Sequence, residues 1–271
     1  MKVARTIAEL DLPKGQRIGF VPTMGAFHEG HLSLMAKAKA ECGYCAVSLF
    51  VNPTQFAPHE DLSKYPRPEA QDFALAEQTG VDLLFAPSVE EVYGDNHTSI
   101  HVAGVTERWE GAIRPGHFDG VATVVAKLFN MVRPTDAYFG CKDFQQCAVI
   151  AQMVHDLNIP VDLHFEPTIR EADGLALSSR NVYLSPEERA KAPILFATLS
   201  RAAAQIRGGE NVDNVLQEGR SAIAEKGFEI QYFACVDAKG LDPVEQYRDG
   251  LQLIVAAKLG STRLIDNVPV G

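Results

Sequence analysis

The sequence is short of positive charge and of long apolar runs, and both shortages restrict its function. Its 271 residues carry 25 Lys and Arg against 35 Asp and Glu, a net charge of −10. Binding to a nucleic acid or a membrane surface needs a basic face, so we expect neither partner. The apolar stretch from Gly120 to Val132 contains Lys127 and is too short to span a bilayer. A small anionic substrate is compatible if the cations converge on one pocket.

Cysteine is also scarce and odd in number, with five residues in the chain. Reduced thiols are therefore expected. The segment from Met1 to Arg17 lacks the apolar core of a signal peptide, so we expect a cytoplasmic protein. Cys42 and Cys45 form a C-x-x-C, but Gly43 is typical of a helix C-terminus and no matching second pair exists. We interpret this pair as structural rather than as a redox or zinc site.

What is present is a regular alternation of short β-rich runs with amphipathic stretches. Strands are predicted at 17–22, 45–51, 82–86, 137–140 and 161–165, with a further short strand at 97–103. Helices are predicted at 31–41, 69–79, 120–133 and 144–157. This rhythm predicts an α/β fold, a Rossmann-like parallel sheet with helices on both faces.

The pattern changes near residue 177. Helices are predicted at 186–208 and 212–226, followed by strands at 229–236, 252–259 and 263–265. This order is typical of a smaller α+β domain. We therefore predict a Rossmann-like ligand-binding domain at 1–176 and a C-terminal lid domain at 177–271.

Polar residues follow the predicted strands at the edge of the sheet where ligands bind. In an open parallel sheet, ligands collect at the carboxyl ends of the strands. His28-Glu29-Gly30-His31 comes after the first predicted strand and begins a helix, whose free backbone N–H groups favour an anion. Gly30 lets the backbone approach a ligand closely, and the two imidazoles can face the same ligand. We interpret this segment as a phosphate site rather than as two unrelated histidines.

Hydroxyls and cations are expected at the same edge. Ser178, Ser179 and Arg180 supply two hydroxyls and a guanidinium, and Lys142 adds a point charge. Arginine forks around phosphate oxygens and lysine neutralises them, so this set suits a triphosphate or a pyrophosphate. For each residue alone, a helix cap or a surface cation is the favoured explanation, but their shared position after predicted strands favours a site.

Two amides complete the candidate residues. Gln55 and Gln146 can both donate and accept hydrogen bonds, which suits a substrate with hydroxyl and carboxylate groups. The sequence has no nucleophile elbow, Walker loop or G-x-G-x-x-G. Without a candidate nucleophile, chemistry by positioning and charge is favoured, in which one substrate attacks another directly.

Five segments in order along the chain carry a resemblance to a known family. They are Pro22–His31, Phe50–Phe56, Arg114–Val121, Lys142–Gln146 and Asp173–Asn181. Together they resemble the pantothenate synthetase (pantoate–β-alanine ligase) family, part of the His-x-Gly-His nucleotidyltransferase superfamily. Cys141 departs from the family pattern, in which a more polar residue is expected. The departure does not affect catalysis if this residue contributes only its backbone.

The resemblance implies ATP-dependent condensation of (R)-pantoate with β-alanine to pantothenate, on the route to coenzyme A. A pantoyl adenylate intermediate, release of AMP and pyrophosphate, Mg²⁺ bound with ATP, and a homodimer are implied with it. The implied catalytic residues are His31, which is the acid, with His28, Lys142 and Arg180. The implied ATP-binding residues are Met24, Gly25, Ala26, Phe27, His28, Glu29, Gly30, His31, Gly140, Cys141, Lys142, Asp143, Ile169, Leu177, Ser178, Ser179 and Arg180. The implied pantoate-binding residues are Gln55, which also lies near β-alanine, and Gln146.

Other functions share part of this pattern. A nucleotidylyltransferase would use the same His-x-Gly-His phosphate site but would retain the nucleotide in its product. A tRNA synthetase is disfavoured by the net charge of −10 and the lack of a tRNA-binding domain. A non-catalytic nucleotide-binding protein would explain the phosphate site but not the paired glutamines, and a cysteine-based redox protein is the weakest alternative.

Overall fold

The computed structural model describes residues 1–57, 60 and 62–271. Contacts divide the chain into two compact units, which are described separately. Unit 1 comprises Met1–Cys141 and Gln145–Pro167, and unit 2 comprises Lys142–Phe144 and Thr168–Gly271. Among the described residues, no helix is both long and apolar enough to cross a membrane.

Unit 1 contains a six-stranded parallel sheet. Its strands are β1 (Lys2–Ala4), β2 (Gly19–Thr23), β3 (Cys45–Leu49), β4 (Leu83–Phe85), β5 (Asp136–Gly140) and β6 (Asp162–Glu166). Their spatial order is β1-β4-β3-β2-β5-β6. From β2 the chain builds the sheet in one direction through β3 and β4, and β5 and β6 extend it in the other. The space above the carboxyl ends of β2 and β5 is therefore the crevice in which such sheets bind ligands.

Helices cover both faces of this sheet, as predicted. The helices along this part of the chain are α1 (Glu29–Cys42), α2 (Glu69–Gln78), α3 (Val89–Tyr93), α4 (Glu110–Ile113), α5 (His117–Val132) and α6 (Phe144–Asp156). Neighbouring residues of β2 point to opposite faces. Phe20 packs edge-on against Phe129 of α5, and Val21 lies in a core cluster with Met35 of α1. Both strand residues have no solvent exposure, because the sheet is buried on its two faces.

The C-x-x-C joins α1 to β3 and is structural, as predicted. Cys42 is the last residue of α1, and Gly43 ends the helix in a left-handed conformation with φ +76°. Cys45 begins β3 without solvent exposure, and burial raises the pKa of its thiol to about 12. Neither a redox nor a zinc role fits such inert, buried thiols.

Unit 2 contains the predicted α+β arrangement. Its elements are α7 (Pro186–Lys191), α8 (Ile194–Arg207), α9 (Val212–Ala224), β7 (Glu229–Asp237), β8 (Leu251–Leu259) and β9 (Thr262–Pro269). The three strands form an antiparallel sheet in the order β7-β8-β9, and α8 and α9 share its apolar core. The single helix predicted at 186–208 is two helices, because Pro193 has no N–H to continue the hydrogen-bond ladder of α7.

The structure differs from the predicted elements at further places, and the short helices α3 and α4 were not predicted. Residues 97–103 form no strand, and the edge strand β1 was not predicted. The segment at 168–176 was predicted in the first domain, whereas its contacts place it in unit 2. Arg170 pairs with Asp266 of β9 at 2.6 and 2.8 Å, and Arg170 also bridges to Ala176. These contacts hold the segment against the antiparallel sheet.

Candidate active site

The loop after β2 brings two imidazole rings together at the N-terminus of α1. His28 is the N-cap residue, and its Nδ1 accepts a hydrogen bond from Gly30 N at 3.2 Å. His31 Nδ1 accepts from His28 N at 3.4 Å, and the ring centroids are 4.1 Å apart. Because each Nδ1 is an acceptor, each neutral ring carries its proton on Nε2. The arrangement combines two imidazole donors with the positive end of a helix, which suits an anionic ligand.

Gly30 leaves room for the side chain of His28 above the first turn of α1. A methyl group at this position would lie 2.9 Å from His28 Cε1 and 3.0 Å from His28 Nδ1. Glycine therefore lets the His28 ring fold over the first turn of α1. Close approach of a ligand at Gly30 stays a prediction, and what the structure shows is room for the neighbouring imidazole.

The other residues of this loop differ in exposure. Glu29 is exposed as the first residue of α1, whereas Phe27 is buried with its ring centroid 5.7 Å from that of His31. Gly25 and Ala26 both have left-handed backbones, at φ +87° and +52°. This sharp turn connects β2 to α1 and sets the direction in which the helix begins.

Asp72, in the first turn of α2, holds this turn and was not among the predicted site residues. Its carboxylate accepts from Ala26 N at 2.8 Å and from Phe27 N at 2.7 Å, and the residue is 1% exposed. Burial raises the pKa of Asp72, although the two backbone donors favour its charged form. The only sequence signal is an acidic residue in a helix first turn, a pattern common to many surface helices.

Gln55 lies beside the same loop. It ends a 3₁₀ turn at Pro53–Gln55 after β3, and it is buried. Its Oε1 accepts from Asn52 Nδ2 at 3.1 Å, and its Nε2 donates to Met24 Sδ at 3.1 Å. The loops that follow β2 and β3 therefore meet at Met24 and Gln55, as expected for two candidate site residues at the carboxyl edge.

A partly buried polar network supports the backbone of Gln55. His117 Nδ1 donates to Gln55 O at 2.8 Å, and Arg114 Nη1 donates to His117 Nε2 at 3.0 Å. His117 is thus neutral with its proton on Nδ1, and burial lowers its pKa to about 4. Arg114 also donates to both carboxylate oxygens of Glu60 at 2.6 and 2.8 Å, which holds the pKa of Glu60 low despite its burial.

The end of β5 supplies a third set of candidate residues in unit 1. Gly140 is the last residue of β5, and Cys141 follows it, half-buried. A hydrogen bond between the Cys141 and Cys147 thiols lowers the pKa of Cys141, and Cys147 Sγ donates to Gly140 O at 3.6 Å. The departure at Cys141 was expected to be harmless if this residue contributes only its backbone, and its thiol contacts Cys147 of α6.

The two adjacent glutamines of α6 differ in their surroundings. Gln145 is buried and binds the loop that contains Val105 and Arg108. Its Nε2 donates to Val105 O at 2.8 Å and to Arg108 O at 2.9 Å. Its Oε1 accepts from Glu110 N at 3.0 Å. Gln146, the predicted pantoate ligand, is half-buried in the first turn of the same helix. Gln145 therefore has a structural role, which leaves Gln146 as the substrate candidate.

The remaining predicted residues lie in unit 2. Lys142 and Asp143 belong to a 3₁₀ turn, with Lys142 Nζ 3.9 Å from Asp143 Oδ1. The Lys142 carbonyl accepts from Asn267 Nδ2 at 3.0 Å, while Asn267 O accepts from Arg170 at 3.2 Å. Strand β9 therefore anchors the turn that carries Lys142 and the segment that follows Ile169.

The serine–arginine motif is a short capped turn in unit 2. Leu177 N donates to Ile169 O at 3.0 Å, which brings these two predicted residues side by side. Ser178 then caps a 3₁₀ helix at Ser179–Tyr183, because its Oγ accepts from Arg180 N at 3.2 Å. The Ser178 hydroxyl thus has the capping role considered in the sequence, and the same turn presents Ser179 and Arg180.

Fold and local geometry together define a class of protein. The strand order of the parallel sheet reverses between β2 and β5, and His-x-Gly-His lies at the helix N-terminus beside that reversal. This combination is typical of nucleotide-binding α/β proteins.

Comparison with known proteins narrows this class. The family model described as pantoate-beta-alanine ligase matches residues 1–269. A pantothenate synthetase of Cereibacter sphaeroides is 52% identical, over 99% of each chain. A pantothenate synthetase structure from Thermus thermophilus is similar with a TM-score of 0.97 and 49% identity, covering 100% of this chain and 99% of that one. The pantoate-beta-alanine ligase of Francisella tularensis, solved in complex with beta-gamma ATP and β-alanine, has a TM-score of 0.83 and 35% identity, covering 100% and 98%.

The chain belongs to the pantoate–β-alanine ligase family. The resemblance, the α/β fold class and the ligase class predicted from the sequence are thereby confirmed.

Proposed function

We propose that this chain condenses (R)-pantoate with β-alanine, using ATP, and forms pantothenate, AMP and pyrophosphate. The observation that carries the proposal is the pair of imidazoles at the start of α1, with Gln55 contacting the same loop through Met24. A helix N-terminus with two imidazoles suits a phosphate, and the neighbouring amide suits a hydroxy acid, which supports the proposal. The Francisella relative, solved with ATP and β-alanine, supports both co-substrates.

In the first step, we propose, a carboxylate oxygen of pantoate attacks the α-phosphorus of ATP. The new O–P bond forms as the bond to the β-phosphate oxygen breaks, which gives pantoyl adenylate and pyrophosphate. Such a transfer depends on positioning and on stabilisation of the charge that develops on phosphate oxygens. His28 and His31 supply this through their Nε2 protons and the N-terminus of α1. Family resemblance alone assigns Lys142, Ser178, Ser179 and Arg180 to the β- and γ-phosphates.

In the second step, the neutral amine of β-alanine attacks the acyl carbon of the adenylate. The C–N bond forms, the C–O bond to AMP breaks, and the amine loses a proton. Water has to be kept from the mixed anhydride between the two steps. We propose that Gln55 holds pantoate through both steps, with Gln146 as its second amide contact. Closure by the C-terminal domain remains a prediction.

Magnesium is proposed to enter as part of the ATP co-substrate. Among the described residues, no group of three or more His, Cys, Asp or Glu side chains could hold a metal ion. Mg²⁺ commonly binds through substrate phosphates and retained waters, with few protein ligands. This residue set therefore fits Mg–ATP better than a resident metal. We also propose a homodimer, on the family resemblance, and a cytoplasmic location, which the five free cysteines support.

A product assay tests this function. The chain is incubated with ATP, Mg²⁺, pantoate and β-alanine, and each component is omitted in turn. We expect AMP and pantothenate to accumulate together only in the complete mixture. If a nucleotide-containing product accumulated in place of free AMP, the chain would be a nucleotidylyltransferase and the proposal would be wrong.

A further inference from the structure

We propose that Asp72 is a positioning residue for the nucleotide: its carboxylate fixes the backbone of Ala26 and Phe27, and through them the imidazole pair. The inference rests on the proposed function, because it assigns Asp72 to the same ATP-binding loop. Asp72 does not touch the reacting atoms. It acts through the turn that connects β2 to α1.

The geometry is that of a two-point clamp. The two carboxylate oxygens accept separately, Oδ2 from Ala26 N at 2.8 Å and Oδ1 from Phe27 N at 2.7 Å. Two successive amides bound by one rigid group fix the orientation of the peptide between them. Ala26 has φ +52°, a conformation that residues with a side chain seldom adopt and that the surroundings therefore have to maintain.

The clamp also explains a glycine. A methyl group at Gly25 would lie 2.9 Å from Asp72 Oδ2, and Gly25 has φ +87°. The loop thus passes the carboxylate at a distance that only glycine allows. Gly25 and Asp72 form a single contact, although they are far apart in the sequence.

The chemistry of Asp72 differs from that of an ordinary surface carboxylate. It is 1% exposed, and among the described residues its oxygens are satisfied by backbone N–H groups rather than by a cation. A buried charge without a counter-ion is costly unless its hydrogen bonds are well made. Both backbone donors of Asp72 belong to the loop that carries the two histidines, so the hydrogen bonds that stabilise the buried carboxylate also fix that loop.

Immediately after the clamp come the groups that would bind phosphate. Phe27 precedes His28, whose ring is the N-cap of α1 and lies 4.1 Å, centroid to centroid, from that of His31. A rotation of the Ala26–Phe27 peptide would therefore change the direction of the His28 ring and of the first free N–H groups of α1. Misplacement by about 1 Å can reduce the rate of an oriented reaction by about 10²-fold.

Asp72→Asn tests the clamp, with Asp82→Asn as the matched control. Asparagine keeps the shape but places an NH₂ group against one of the two backbone donors. Asp82 also accepts from a backbone N–H, that of Cys45 at 2.8 Å, but at the amino ends of the strands. Both variants remove a carboxylate bound to the backbone, and only one of them touches the nucleotide loop.

The first readout is amide hydrogen exchange in the free protein, without any substrate. We expect faster exchange at Ala26 and Phe27 in Asp72→Asn and native exchange there in Asp82→Asn. The second readout is steady-state kinetics. We expect Asp72→Asn to raise the KM for ATP, or to lower adenylate formation, by about tenfold or more, with an unchanged KM for β-alanine.

Unchanged exchange at both amides would overturn the clamp, and faster exchange with native use of ATP would overturn its role in positioning. If Asp72→Asn does not fold, Gly25→Ala perturbs the same contact from the loop side. Amide exchange and steady-state kinetics are then measured for that variant, with the same expected results. Absence of AMP formation by the native chain would instead refute the proposed function. That result is separate, because the exchange measurement needs no ligand.

Discussion

Replacing Gly120 with alanine should damage pantoate use more than ATP use. Gly120 lies in α5 and faces the loop that carries Gln55. A methyl group there would lie 2.5 Å from Thr54 O, 2.6 Å from Thr54 C and 2.7 Å from Gln55 N. The Gly120 carbonyl also accepts from Asn52 Nδ2 at 3.1 Å, and Asn52 bonds the Gln55 side chain. Helix and loop are therefore in contact through their backbones.

Two opposing effects set the magnitude of the change in stability. Alanine in a helix interior is favoured over glycine by about 1 kcal/mol. Overpacking a close-packed contact costs about 1–3 kcal/mol, and here the obstructing atoms are backbone and cannot rotate away. We therefore expect the free energy of unfolding to fall by up to roughly 2 kcal/mol. The displaced loop should raise the KM for pantoate by about tenfold or more, since about 1 Å of misplacement is a large loss.

The assay measures initial rates at varied pantoate, and separately at varied ATP, alongside urea unfolding of each variant. Gly219→Ala in α9 is the matched control, because a methyl group there would lie 2.6 Å from Phe233 Cε1 within the core of unit 2. The control should lose stability and keep the native KM for pantoate. A Gly120→Ala protein with native stability and a native KM for pantoate would refute the contact between α5 and the loop.

Further predictions concern His31, the side-chain amide of Gln55 and the buried His117. His31→Ala should reduce adenylate formation by about 10²-fold or more, as for loss of one preorganised donor; pyrophosphate release measures it, and a near-native rate would remove the assigned role. Gln55→Ala should weaken pantoate use and spare ATP binding, so a calorimetric titration showing lost ATP affinity would contradict the assignment. The pKa of His117 is lowered by burial from 6.5 to about 4, so the unfolded chain binds the extra proton between these values. Its stabilising contribution is present above about pH 6.5 and is lost as the pH falls toward 4, by roughly 3 kcal/mol in total. Urea unfolding across this range should show a shallower pH dependence in His117→Gln.

Periodicity and strand-end position were enough to predict five of the six strands of the parallel sheet, the helices α1, α2, α5 and α6, and the paired histidines. The strands of the sheet core are buried on both faces, so their apolar runs stand out in the sequence. The edge strand β1 has only three residues and pairs with β4 alone, so it has no comparable signal. Residues 97–103 have the composition of a strand, but no neighbouring strand pairs with them in the described structure.

The supporting contacts could not be predicted, because they join distant parts of the chain through ordinary residue types. Asp72 is an acidic residue near a helix N-terminus, and nothing local distinguishes it from Glu69 in the same turn. Gly120 interrupts an apolar helix, where glycine alone indicates only reduced helix propensity. Asp72 acts by accepting two backbone hydrogen bonds, and Gly120 acts by having no side chain at a close backbone contact. Both contacts form only when the distant segments fold together.

The brief passage of the chain through unit 2 at Lys142–Phe144 has a consequence for how such proteins can be recombined. The Lys142 carbonyl is bound by Asn267, near the end of the chain. A chimera that exchanges only the C-terminal portion between relatives would pair a foreign β9 with a native Lys142 turn. Exchanging 142–144 together with 168–271 preserves this pairing. The two segments that have to be exchanged together are therefore separated in the gene.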